Sequence, residues 1–115
     1  MAVALKPLVE IRPPARPVFT LADFDALPEG PPDYEFDGGS LFAMPPPHPR
    51  HQRIIMRLGA LLDETVSRAA LGSIWPEIDV QFSRRRVFVP DLVFLLQEHL
   101  DRYSAERGRI IGAPD

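Results

Sequence analysis

Cysteine is absent from the 115 residues, so neither a disulfide nor a thiolate metal site can hold this fold. Lysine is nearly absent: twelve of the thirteen basic residues are arginine, and Lys6 stands alone. No apolar run approaches the roughly 18 residues of a membrane span, and the N-terminus lacks a signal-peptide core, which makes the cytoplasm the default location. The net charge of −3 argues against a protein that coats nucleic acid non-specifically, though it leaves room for a local basic patch. What is present is ordinary for one domain with a modest core, with 45% apolar and 25% charged residues and no internal repeat.

The stretch that organises the rest is Val87 to Leu96, Val-Phe-Val-Pro-Asp-Leu-Val-Phe-Leu-Leu. A run so rich in Val and Phe reads as a strand buried on both faces. Alternation places Asp91 on the face of Val89, Val93 and Leu95. A carboxylate there costs several kcal/mol unless it is hydrogen-bonded, paired or bound to a metal. Pro90 has no N–H to donate, so the strand should be an edge, bulged or interrupted just before the Asp. Two readings stay open: an Asp bonded to nearby backbone at a bulge, or a metal-binding catalytic carboxylate.

Residues 1–19 hold Pro7, Pro13, Pro14 and Pro17 with little periodicity and read as a flexible arm, leaving 20–115 as the domain. Thr20 and Asp23 form a capping box for a short helix containing Phe24 and Leu27. Tyr34-Glu35-Phe36 and Leu41-Phe42-Ala43-Met44 flank Asp37-Gly38-Gly39, a strong hairpin signal. Glu35 faces away from Tyr34 and Phe36, and a surface Glu beside a turn is its bland reading. Pro45-Pro46-Pro47 then leads into the best helix, from His48 or Pro49 to Ala70, with Gly72 as a stop. Ile54, Ile55, Leu58, Leu61, Leu62, Val66 and Ala69 form its apolar face. At about 100° per residue, His51 falls near the centre of that face, where a core histidine is the ordinary outcome. Arg50, Arg53, Arg57 and Arg68 run along one flank, which reads as a solvated helix edge.

Ile74 to Phe82 alternates into a strand with one polar face. Ser83-Arg84-Arg85-Arg86 then turns it back as the antiparallel partner of the Asp91 strand. Those arginines could meet a phosphate backbone or simply solvate the turn. Residues 97–107 suggest a short polar helix with Leu100 and Tyr103 packed inward, and Arg109 to Asp115 closes the chain.

This order resembles the Uma-two family of restriction endonucleases, within the PD-(D/E)XK nuclease superfamily. The matching stretches are Tyr34-Glu35-Phe36-Asp37-Gly38-Gly39 with Met44-Pro45, His51-Gln52-Arg53-Ile54, Pro90-Asp91-Leu92-Val93-Phe94, and Gly112-Ala113-Pro114-Asp115. The resemblance covers roughly residues 18–115. It implies an α+β, restriction-endonuclease-like fold with a mixed sheet flanked by helices, and a DNA phosphodiester substrate. It also implies a magnesium ion with Asp91 as its first carboxylate ligand, and Glu35 and His51 as two further characteristic polar positions of the catalytic site. Such chemistry needs a hard cation on carboxylate oxygens to polarise the phosphate and supply hydroxide. In relatives the Gly-Ala-Pro-Asp stretch leads into a strand bearing a second acid and then a lysine; here Lys6 matches no such position. The resemblance therefore implies an incomplete domain, inactive alone, that is completed by further residues or by a partner chain. The competing expectation is a non-enzymatic remnant that pairs, as a homodimer or with another chain, through an unfinished sheet edge. A nucleic-acid-binding module without catalysis is a third possibility, disfavoured by the negative net charge.

Overall fold

The computed structural model describes residues 9–11 and 18–115. Val9–Ile11 forms β1, antiparallel to a later strand, inside the stretch expected to be an arm; the rest of that stretch before residue 18 lies outside the described residues. The helix α1, Leu21–Asp25, starts as its sequence requires. The Thr20 side chain accepts from the Asp23 N–H, and the Asp23 carboxylate accepts from the Thr20 N–H at 2.8 Å.

Strands β2 (Tyr34–Asp37) and β3 (Ser40–Ala43) make the expected hairpin. Its two turn residues, Gly38 and Gly39, both have positive φ, at 59° and 95°. That pair of left-handed residues is what a tight hairpin matched to strand twist demands. Gly39 also leaves no room for a side chain, since a Cβ would stand 2.8 Å from Val18 Cβ.

The long helix α2 spans Pro49–Arg68, with His48 as N-cap and Pro49 at the first helical position. It ends four residues before Gly72. Ala70 takes the left-handed conformation (φ 51°), Ala70 N–H donates to Ser67, and Leu71 N–H donates to Val66. This is a Schellman stop built on alanine instead of glycine.

The expected strand over 74–82 is two strands, β4 (Gly72–Pro76) and β5 (Val80–Ser83). Between them Glu77 has a φ of 43°, which breaks the ladder. The expected strand over 87–96 is likewise two, β6 (Arg86–Phe88) and β7 (Leu92–Leu96). The long hairpin thus divides: β5 pairs with β6 while β4 pairs with β7, both antiparallel. The polar helix expected over 97–107 is shorter and tighter. A 3-10 helix runs Gln97–Arg102, and Tyr103–Ser104 (β8) then pairs with Arg109–Ile111 (β9). Leu100 packs inward as expected. Tyr103 is exposed, with its ring stacked on Trp75 at 5.7 Å.

The result is α+β. One sheet has the order β1-β3-β2-β6-β5-β9-β8 and is antiparallel except for β5 beside β9, so it is mixed; β4-β7 forms a second sheet. Two cores follow from the division. Phe24, Phe36, Leu41 and Val87 fill one, with Phe24 stacked on Phe36 at 6.0 Å. Val80, Val93, Leu95 and Ile110 fill the other. Each such fully buried side chain contributes about 1.5–3 kcal/mol.

The face of β7 that carries Val93 and Leu95 is buried, while Leu92, Phe94 and Leu96 on the other face are only half-covered. α2 lies against the β4-β7 pair through a narrow stripe: Val66 is buried, His51, Ile55 and Gly59 are half-buried, and Ile54, Leu58, Leu61 and Leu62 remain exposed.

Candidate functional site

The two halves of the divided hairpin meet at Val89-Pro90-Asp91, and the candidate residues gather at this corner. β6 ends at Phe88, so the Val89 N–H has no strand partner among the described residues. A Glu35 carboxylate oxygen accepts it instead, at 3.0 Å. Pro90 has no N–H to satisfy. The Asp91 carbonyl accepts the Glu77 N–H at 3.2 Å, which ties the break in one strand to the break in its neighbour. The Asp91 side chain projects outward, and the His51 Nε2–H donates to its Oδ1 at 3.0 Å.

Three sequence expectations change here. Asp91 does not sit within a buried strand: its side chain is 58% exposed, because the chain turns at Pro90 before the apolar alternation resumes at Leu92. His51 is not a core residue, since it lies in the first turn of α2, at the open end of the half-buried stripe, and its side chain is 42% exposed. Glu35 is half-buried rather than a surface residue, because the orphaned amide beside it needs an acceptor. The structure brings all three to one corner, where only His51 and Asp91 touch each other.

An Nε2–H held by a carboxylate leaves Nδ1 of a neutral imidazole as the free acceptor, placed to take or return a proton from water. Asp91 Oδ2 makes no hydrogen bond among the described residues. As a metal site the donor set falls short: among the described residues no three His, Asp or Glu side chains are grouped to hold an ion. A hard divalent cation takes six or more oxygen ligands, several of them commonly water. Asp91 offers one carboxylate here, while Glu35 already spends one oxygen on Val89.

Sequence reasoning holds Glu77, with Asp79, only as a reserve acid for the site should the chain cleave alone, and does not foresee where it lies. It borders a groove of about 480 Å³ between α2 and β4, together with Gln52, Ile55, Ile74 and Leu92. Its left-handed backbone is uncommon for a side-chain-bearing residue, and nothing in Trp75-Pro76-Glu77-Ile78 signals it. The arginine turn is exposed, as its solvated reading expects, but it is also fastened. The Arg85 guanidinium donates to the Gly38 carbonyl at 3.1 Å and Arg86 pairs with Asp37 at 3.1 Å, so two of the three fasten one hairpin tip to the other.

Two polar clusters stand apart from the corner. Buried Arg109 bonds Asp25 and Gln81 and lies over the Phe24 ring, with its Nε buried and unpartnered among the described residues. Nearby, burial raises the Asp79 carboxyl above its ordinary value against the opposing pull of Arg109, and Asp33, Asp25 and Glu35 push it further up. Asp115 accepts from the Leu96 N–H at 2.9 Å and from His99 Nδ1, and these bonds lower its pKa in that order. The Asp of Gly-Ala-Pro-Asp therefore ties the end of β7 to the His99 side chain of the 3-10 helix, and its own N–H donates to the Phe94 carbonyl of β7 at 3.0 Å.

The fold, with its hairpin, long helix and interrupted Pro-Asp strand, is that of a restriction-endonuclease-like nuclease. A solved structure described as "a putative nuclease belonging to DUF820 from Anabaena variabilis ATCC 29413" superposes with a TM-score of 0.68 at 25% identity. The match covers 83% of this chain and 52% of that one, so the chain spans about half the length of that nuclease. No curated protein matches. The family model described as "Putative restriction endonuclease", Uma2, matches residues 21–115, and the chain belongs to that family.

Proposed function

We propose that this chain carries part of the site of a nuclease that hydrolyses DNA phosphodiesters with a divalent metal, magnesium by family resemblance, and that the 115 residues alone do not cleave. The carrying observation is the His51–Asp91 pair, fixed at 3.0 Å on an exposed corner in a chain of this family. In this reading His51 holds or moves a proton at Nδ1, and Asp91 orients it and offers a carboxylate oxygen toward the metal. Glu35 is a positioning residue that fixes the corner through Val89. The ion, when bound, would polarise the phosphate. The residues described here do not complete its coordination, so no step is assigned through it.

Two features support incompleteness: the donor count, and the 52% coverage of the matched nuclease. A second reading has its own support. Among the described residues β7 has a strand partner on one side only, its other edge accepts one backbone N–H, from Asp115 to Phe94 at 3.0 Å, and exposed Ile54, Leu58 and Leu61 lie on the helix that covers this sheet. Such an edge pairs readily with a strand of another chain.

The test compares nicking of supercoiled plasmid in magnesium by the 115-residue protein with nicking by the same residues fused to the remaining half of the matched nuclease. The expected result is no nicking by the first and Asp91-dependent nicking by the second. Cleavage by the short chain that Asp91→Ala abolishes would overturn incompleteness. A fused protein that folds yet cleaves nothing would overturn the nuclease reading and leave strand pairing in its place.

A further inference from the structure

The first half of α2 carries Arg50, Arg53 and Arg57, all exposed, and no carboxylate before Asp63. Spacings of three and four put these arginines along one side of the helix. At 1.5 Å per residue they span about 10 Å of its axis.

Most other arginines of the described residues are occupied. Arg68 pairs with Glu64, Arg86 with Asp37 and Arg109 with Asp25, while Arg85 bonds the Gly38 carbonyl and Arg102 the Ala113 carbonyl. Arg50, Arg53 and Arg57 make no ion pair among the described residues. They form an uncompensated ridge in a chain whose net charge is −3. Helix stability does not account for it: the first turn of a helix favours acidic side chains, and here it contains Arg50 and no acid. The ridge begins beside His51, whose ring is turned to Asp91.

We propose that this ridge tracks the phosphate backbone of duplex DNA and holds it beside the His51–Asp91 corner, an inference that rests on the nuclease reading. Each strand of a duplex presents a phosphate about every 3.4 Å of axis, so 10 Å of helix can address roughly three. A guanidinium fork matches two phosphate oxygens at once. Such contacts fix position without reading sequence. The cationic ridge also suits an anionic lipid surface, which enters the test as an outcome.

Fluorescence anisotropy of the whole 115-residue protein with a short labelled duplex, in EDTA and across a salt series, measures binding with no cleavage required. The Arg50→Gln, Arg53→Gln, Arg57→Gln triple variant should bind at least tenfold more weakly at low salt. Its slope of log affinity against log salt should be shallower by about two to three, near 0.9 for each phosphate no longer neutralised. The corresponding triple Lys variant should keep the slope, and an Arg84→Gln, Arg107→Gln variant should change little.

A triple Gln variant that melts like the parent and binds with the same slope overturns the proposal. So does a parent chain that ignores duplex DNA, whether it binds vesicles of anionic phospholipid or nothing. Ridge-dependent binding combined with a fused protein that never cleaves overturns only the nuclease reading. Cleavage without ridge dependence overturns only the ridge.

Discussion

Replacing His51 with alanine separates an exposed site from a packed core. The ring bonds Asp91 at 3.0 Å, yet the two side chains are 42% and 58% exposed. Pairs that open to water contribute about 0.2–1 kcal/mol, since solvent screens the attraction and ordering the side chains offsets it. Alanine also favours the helix by about 0.5 kcal/mol over histidine, which offsets part of the loss. The net destabilisation should therefore be below about 1 kcal/mol. For a domain near 100 residues that lowers the melting temperature by roughly 4–8 °C at most. A histidine packed mid-face on the helix would instead cost about 2 kcal/mol or more when truncated.

The assay is urea and thermal unfolding of the parent, His51→Ala, Asp91→Asn and the double variant, read as a cycle. A coupling energy below about 1 kcal/mol is expected. A destabilisation of about 2 kcal/mol or more in His51→Ala would refute the open geometry and return the residue to the core.

Four other outcomes test separate links. Gly72→Ala should cost at least about 3 kcal/mol or prevent folding, because a Cβ there would overlap the Leu95 carbonyl and force β4 from β7; a melting point within a few degrees of the parent would disprove that approach. Ala70→Gly should stabilise by about 0.5 kcal/mol, as the left-handed penalty of roughly 1–2 kcal/mol is relieved against the added chain entropy of glycine, and a lower urea midpoint would refute it. The raised pKa of Asp79 means the folded protein keeps this proton over a range where the unfolded chain has lost it, so stability falls as pH rises through the folded value; Asp79→Asn should melt higher than the parent at pH 7, the difference closing below the ordinary carboxylate range, and a lower melt at pH 7 would refute this. Glu35→Ala should cost about 1–2 kcal/mol by orphaning the Val89 N–H, whereas Glu35→Gln, which keeps an acceptor oxygen, should cost less than half as much; equal losses in urea unfolding would refute the assigned hydrogen bond.

Local chemistry was legible wherever one residue type decides the backbone. Thr20 with Asp23 announced α1, and two adjacent glycines announced the β2–β3 turn. Periodicity alone was less informative. The alternation of Ile78, Val80 and Phe82 marked the right residues for a strand but could not show that Glu77 breaks it, since no glycine or proline signals a left-handed position there. The apolar spacing of α2 located its face, but the sheet beneath it covers only a stripe, so Ile54, Leu58 and Leu61 stay in water. His51 was misplaced by the same step: angular position on a helix says nothing about where its support ends. The end of β7 is fastened by Asp115, a residue 19 positions beyond the Leu96 amide it accepts, and so distant a partner leaves no local trace.

Pro90 is where sequence and site join. A ten-residue apolar run would bury any carboxylate placed within it, and an unpaired buried carboxylate is too costly to keep charged. Removing one N–H at Pro90 ends the β6 ladder, and the orphaned Val89 amide recruits Glu35. The turn that follows puts Asp91 outside, while Val93 and Leu95 still pack inward. The carboxylate is thereby anchored at the start of a buried strand but remains solvated, and Glu77 and His51 fix its carbonyl and its side chain from two further directions. In the proposed function that rigid frame would hold a carboxylate oxygen open toward a metal ion. It also explains why the interruption falls before the aspartate: a break one residue later would have left Asp91 within the β6 ladder.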